Sequence, residues 1–156
     1  MTYRITGLVP DEFTPYFLMS EAELAARGAQ RVIAQADRGH PCRISLEDAR
    51  KGEALILLQH VSHDVATPYR SAYAIYVREG ATRASYEDAV PPVFEGRPLG
   101  LRGFDAAGML HDARLALPGE ADAAIRALFA DPQIAYIDAH NAAHGCFAAR
   151  ITRYEA

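Results

Sequence analysis

Between Glu53 and Val61 the chain reads Glu-Ala-Leu-Ile-Leu-Leu-Gln-His-Val, with apolar side chains on both parities. Ala54, Ile56 and Leu58 fall on one side of an extended strand, and Leu55, Leu57 and Val61 fall on the other. A half-wet strand alternates apolar with polar residues, so this run predicts a central strand covered on both faces. The other elements are read around it.

Tyr3–Leu8 reads as a first strand, followed by a loop with Pro10 and Pro15. Ser20-Glu21-Ala22-Glu23 is a capping box, flanked by Met19 and Leu24 at the positions of a hydrophobic staple. The short helix it starts should stop at Gly28. Gln30–Ala36 reads as a strand, Pro41–Ser45 as an extended piece, Leu46–Lys51 as one helical turn and Ala72–Glu79 as a strand. After Pro91-Pro92 come two more strands, Leu99–Phe104 and Met109–Leu115. Ala121, Ala124, Ile125, Leu128 and Phe129 form one stripe at helical spacing, predicting a helix over Glu120–Ala130 that ends at Asp131-Pro132. Two strands close the chain, Ile134–His140 and Cys146–Tyr154, joined by a five-residue loop that contains glycine and suits a β-hairpin. The expected fold class is α+β: a mostly antiparallel or mixed sheet, about two helices packed on it, and a C-terminal β-hairpin.

The 156 residues fit a single domain over 1–156. Sixteen Lys and Arg against 20 Asp and Glu give a net charge of −4, a balance that does not favour a phosphate backbone, so no nucleic-acid partner is expected. The longest apolar run, Ala54–Leu58, cannot span a bilayer, so no membrane partner is expected either. Two cysteines are too few for a disulfide framework, and the first ten residues lack a long apolar stretch. The expected location is cytoplasmic, with both thiols free.

Parity in the closing hairpin places a polar group of residues. If His140 pairs with Cys146, then Ile134, Tyr136, Asp138 and His140 share a face with Cys146, Ala148, Arg150 and Thr152, and Asp138 lies diagonal to Arg150. The opposite face carries Ala135, Ile137, Ala139, Phe147, Ala149 and Ile151, all apolar, which selects this parity over a one-residue slip. A histidine beside a cysteine can take the thiol proton, and Asn141 could orient the imidazole. The plainer alternative is a cysteine behaving as a small hydrophobe, with the His–Asn pair satisfying the loop backbone.

Other polar residues stand in unusual places. Cys42 is followed by Arg43, whose charge would favour a thiolate, although alternation on a strand sends the two side chains to opposite faces. His60 ends the apolar strand. Tyr69 and Arg70, after Pro68, form a turn that could hold an anion or carboxylate. Arg78-Glu79 and Asp48 are further candidates, with ion pairing as their simpler role. His60-x-x-His63 and His140-x-x-x-His144-x-Cys146 contain zinc-ligand types, but their spacings match no metal motif, and no metal site or cofactor is expected.

The Pro41-Cys42-Arg43-Ile44-Ser45-Leu46, Asp48-Ala49, Gly52-Glu53, Pro68-Tyr69-Arg70, Val77-Arg78-Glu79, His140-Asn141 and Gly145–Arg150 segments together resemble a bacterial family of uncharacterised proteins, domain-of-unknown-function family 1203 (DUF1203). The resemblance covers nearly the whole chain and implies no activity, cofactor or catalytic residue. Phe147 stands where the pattern often has Tyr, and His144 lies outside it.

The leading functional expectation is a small-molecule enzyme or ligand-binding domain, with Cys146 or Cys42 as nucleophile, His140 or His60 as base, Arg43 or Arg70 as anion anchor, and Tyr69 and Asn141 lining the site. The alternatives are a non-catalytic interaction module, such as a homo-oligomer built through a sheet edge or apolar face, and a zinc-binding protein.

Overall fold

The computed structural model describes residues 1–155. Its larger sheet has six strands, β1 (Thr2–Thr6), β5 (Ser85–Glu87), β6 (Leu99–Phe104), β7 (Leu110–Ala116), β8 (Tyr136–Asn141) and β9 (Phe147–Tyr154). They lie in the order β5-β1-β9-β8-β6-β7, and every neighbouring pair is antiparallel. The second sheet is β2-β3-β4, formed by Gln30–Ile33, Ala54–His63 and Ser71–Arg78, also antiparallel. Three α-helices, Thr14–Phe17 (α1), Glu21–Ala26 (α2) and Ala121–Phe129 (α3), complete the α+β fold among the described residues. None of the helices in this part of the chain is long and apolar enough to cross a membrane.

The apolar run becomes β3, the middle strand of its sheet. Leu55 and Ile56 are adjacent and both fully buried, so both faces are covered at that end. Ile56, Leu58, Ile75 and Val77 pack under Phe13 and Leu24 of the N-terminal segment. The Ser20 hydroxyl accepts from the Glu23 N–H at 3.2 Å, which starts α2 and seats Leu24 on that core. A separate core fills one face of the six-stranded sheet. Ile125, Leu128 and Phe129 of α3 close it over Leu99, Leu101, Ile137, Ala139, Ala149 and Ile151.

The other face of the larger sheet meets the β3–β4 sheet through polar and aromatic groups. Asp138, only 1% exposed, takes a two-pronged bond from Arg150 at 2.8 and 3.0 Å. Arg150 also donates to the Ser62 carbonyl of β3 at 3.2 Å. His63 Nδ1 donates to the Tyr69 carbonyl at 2.9 Å, and the Tyr136 hydroxyl donates to His63 Nε2 at 2.6 Å. Phe104 stacks on His63 and Tyr136.

Several expectations are corrected. His140 faces Phe147 rather than Cys146, because a bulge between Ala139 and His140 leaves Ala148 as an extra residue. Asp138 therefore lies directly opposite Arg150, not diagonal to it. The bulge also carries Phe147 off the α3 face and into the core with Ile56 and Leu58, whereas Ile134 and Ala148, expected on the polar face, are buried in the α3 core. Pro41–Ser45 is not an extended piece, because residues 43–45 form a turn, and Leu46–Lys51 is not a helical turn. Only isolated bridges, Pro41 to Asp48 and Cys42 to Tyr76, mark a tight loop that attaches to β4.

The Asp138–Arg150 pair generates a stability prediction. Arg150→Met leaves the buried Asp138 carboxylate without its cation and should cost about 3–5 kcal/mol. Urea unfolding followed by circular dichroism measures it, and a loss under about 1 kcal/mol would mean that the pair is a surface-like ion pair.

Candidate functional site

The loop that begins at Gly39 is pinned from four directions. Leu8 N–H donates to the Arg43 carbonyl at 2.8 Å, Arg43 N–H to Tyr76 at 2.9 Å, Ala84 N–H to Ile44 at 2.9 Å and Val93 N–H to Leu46 at 3.2 Å. Leu46 holds a left-handed backbone, φ 55°, an arrangement that disfavours any residue with a Cβ. At Gly7 a Cβ would sit 1.8 Å from the Ile44 carbonyl oxygen, so only glycine lets β1 pass so close.

Within this loop Cys42 and Arg43 do point in opposite directions. Cys42 is fully buried among Ile44, Ile56 and Val77, and its sulfur accepts the Arg78 N–H at 3.3 Å. Arg43, 1% exposed, sends its guanidinium the other way. Nη2 donates to Cys146 Sγ at 3.6 Å, while Nε and Nη1 are buried without acceptors. Burial pulls this guanidinium below its ordinary range, and the facing sulfur pulls it back up.

Cys146 closes the turn between β8 and β9. Asn141 N–H donates to the Cys146 carbonyl at 2.9 Å and Gly145 N–H to the Asn141 carbonyl at 2.8 Å. Gly145, at φ 78°, supplies the backbone shape that the turn needs. Asn141 Nδ2 donates to Cys146 Sγ at 3.2 Å. The sulfur thus accepts from two N–H groups, one of them cationic. It is half-buried on the wall of a cavity of about 410 Å³, lined also by Arg97, Tyr73, Tyr76, Leu57 and His144. Arg97 is already matched, because it grips both oxygens of Asp48 at 2.8 and 3.0 Å. Among the described residues Arg43 meets no carboxylate, and the Cys146 sulfur is its one partner.

His140 stands beside this group without bonding the sulfur. Its Nδ1 donates to the Gly145 carbonyl at 3.0 Å, and its ring packs edge-on against Tyr73 and Phe147. Burial pushes it down to about 4, against the opposing pull of the Gly145 bond, with the Arg102 charge as a further lowering influence. The imidazole is therefore neutral at ordinary pH, and it braces the turn that carries Cys146.

The remaining candidates lie elsewhere. His60 packs against Phe13 and Phe147 and lines a different groove of about 280 Å³ with Glu12 and Arg83; burial lowers it, while Glu12 pulls it up. Tyr69 is exposed and edge-on to Phe104, and Arg70 pairs with Asp64 in solvent at 2.9 Å. Arg78 pairs with Glu53 at 3.5 Å. Among the described residues no three His, Cys, Asp or Glu side chains are grouped to hold a metal ion. Sequence reading missed Arg97, Tyr73 and Tyr76 as lining residues and considered His144 only as a metal ligand. The Asp48–Arg97 pair spans 49 positions and leaves no local trace.

A family model described as a protein of unknown function, DUF1203, matches residues 39–153, a stretch that contains both the Arg43 loop and the Cys146 turn. No curated protein and no solved structure matches the chain.

His140 makes the fold sensitive to acid. Its folded value, about 4, is below the unfolded 6.5, so the unfolded chain binds the extra proton first. Its contribution is complete above about pH 6.5 and is lost as pH falls towards 4, a swing on the order of 3 kcal/mol. Denaturation curves at stepped pH should show this slope in the wild type and a flatter one in His140→Phe; equal slopes would remove His140 as the cause.

Proposed function

The chain belongs to the DUF1203 family, and for it we propose a thiol-dependent enzyme that acts on a small molecule with Cys146 as nucleophile. The observation that carries this reading is the buried Arg43 guanidinium, whose single hydrogen-bond partner among the described residues is the Cys146 sulfur. A buried cation needs an anion, and a thiolate is the form of sulfur that meets the need. Asn141 adds a second donor to the same atom. His140 serves as a positioning residue through Gly145. His144 is exposed on the cavity wall, where its imidazole can hydrogen-bond a bound molecule. The apolar wall of Leu57, Tyr73 and Ile75 suits the body of a small organic substrate. Two unpaired cysteines and the family resemblance favour a reducing bacterial cytoplasm as its setting.

Alkylation by iodoacetamide at neutral pH tests the reading. Cys146 should react about tenfold faster than free cysteine, with Cys42 protected, and Arg43→Met or Asn141→Ala should reduce that advantage while Arg43→Lys keeps part of it. A wild-type Cys146 no faster than free cysteine sinks the proposal.

A second reading, self-association, is favoured by β7. This strand forms a free edge of the large sheet, and Leu115 and Leu117 beside it are 64% and 50% exposed. Two copies paired antiparallel about Ala113 would set Asp112 of each opposite Arg114 of the other. Light scattering should then give twice the chain mass for the wild type and the monomer mass for Arg114→Asp; a wild-type monomer at high concentration excludes it.

A further inference from the structure

Resting on the Cys146 nucleophile proposed above, we infer that the substrate class is a hydroperoxide, reduced at the expense of a small external thiol. Charge conservation at Arg43 is the reason. An alkylated or acylated sulfur carries no charge, so a cation that is 1% exposed lends such a product nothing, whereas it stabilises a product that keeps its negative charge at the sulfur. Oxygen transfer keeps that charge. The Cys146 thiolate attacks the terminal oxygen of R–O–O–H, an S–O bond forms, and the O–O bond breaks with its electron pair leaving on RO⁻. The alkoxide takes the proton of the transferred hydroxyl, so the products are a cysteine sulfenate and the alcohol ROH. Sulfur is oxidised by two electrons, the peroxide is reduced by two, and the negative charge remains beside Arg43. The sulfenate oxygen is an acceptor for the same two donors, Asn141 Nδ2 and Arg43 Nη2, that already converge on the sulfur.

The fold also decides how the sulfur returns to its starting state. The other cysteine, Cys42, is fully buried in the core beneath β3 and β4, with its sulfur holding the Arg78 N–H, so it cannot serve as a resolving thiol without opening that core. The reductant must come from solution. A small thiol attacks the sulfenic acid to give a mixed disulfide and water; its sulfur is neutral, and recovery of the charge beside Arg43 favours displacement by a second thiol, leaving the external disulfide and the regenerated Cys146. The cavity of about 410 Å³ beside the half-buried Cys146 has room for such a molecule.

The test treats the purified full chain with equimolar hydrogen peroxide, traps sulfenic acid with dimedone, and reads the modified residue by mass spectrometry. Cys146 and not Cys42 should carry the adduct, forming at least an order of magnitude faster than on free cysteine. With excess glutathione the protein should consume hydrogen peroxide over many turnovers; Cys146→Ser should abolish this and Arg43→Lys should retain more of it than Arg43→Met. If iodoacetamide reacts rapidly with Cys146 but hydrogen peroxide reacts no faster than with free cysteine, the hydroperoxide inference falls and the nucleophile proposal stands. If both reagents react at the free-cysteine rate, both fall. An adduct confined to Cys42 overturns the inference as well.

Discussion

Burying a guanidinium without a carboxylate is the constraint around which the rest of the site is arranged. Stripping water from such a cation costs several kcal/mol even after the protein relaxes. A long flexible side chain ordinarily avoids this by snorkelling to solvent. Arg43 has no such escape, because its backbone is bonded to Leu8 and to Tyr76 of β4, while the neighbouring Ile44 and Leu46 carbonyls are bonded to Ala84 before β5 and Val93 before β6. The left-handed Leu46 and the Gly7 contact with Ile44 tighten the same loop. A backbone held this firmly turns an unfavourable burial into a fixed positive field, and the Cys146 turn supplies the group that faces it.

Similar logic governs the seam between the two sheets. Both have an apolar core of their own, one under α3 and one under the N-terminal helices. What joins them is largely polar: Asp138 with Arg150 and Ser62, and Tyr136 with His63 and Tyr69. Directional bonds of this sort fix the relative placement of the sheets more narrowly than apolar contact does. The site needs that precision, since Arg43 hangs from the β4 side and Cys146 from the β8–β9 side.

Local chemistry was readable where one stretch of chain contained the whole cause. Apolar residues on both parities foretold β3, Ser20 foretold the start of α2, and the stripe through Ile125 and Phe129 foretold α3. The hairpin's α3-facing side was right for Ile137, Ala139, Ala149 and Ile151. The bulge escaped notice because Ala148 is small and apolar and suits either face, so nothing in the pattern marked it as the extra residue. Alternation correctly separated Arg43 from Cys42, yet it could not say that Arg43 would meet the other cysteine. Arg43, Asn141 and Cys146 were all legible as candidates; their convergence, and the roles of Arg97, Tyr73 and Tyr76, depend on packing between distant segments.

The distance between those segments has a consequence of its own. Arg43 and Cys146 are 103 positions apart, so their contact is a long-range closure that nascent or partly folded chains do not make. Until both sheets have docked, Cys146 has no guanidinium beside it. On the reading proposed above, the chemistry of Cys146 would therefore depend on completion of the fold, and a local opening that frees the Arg43 loop would remove it.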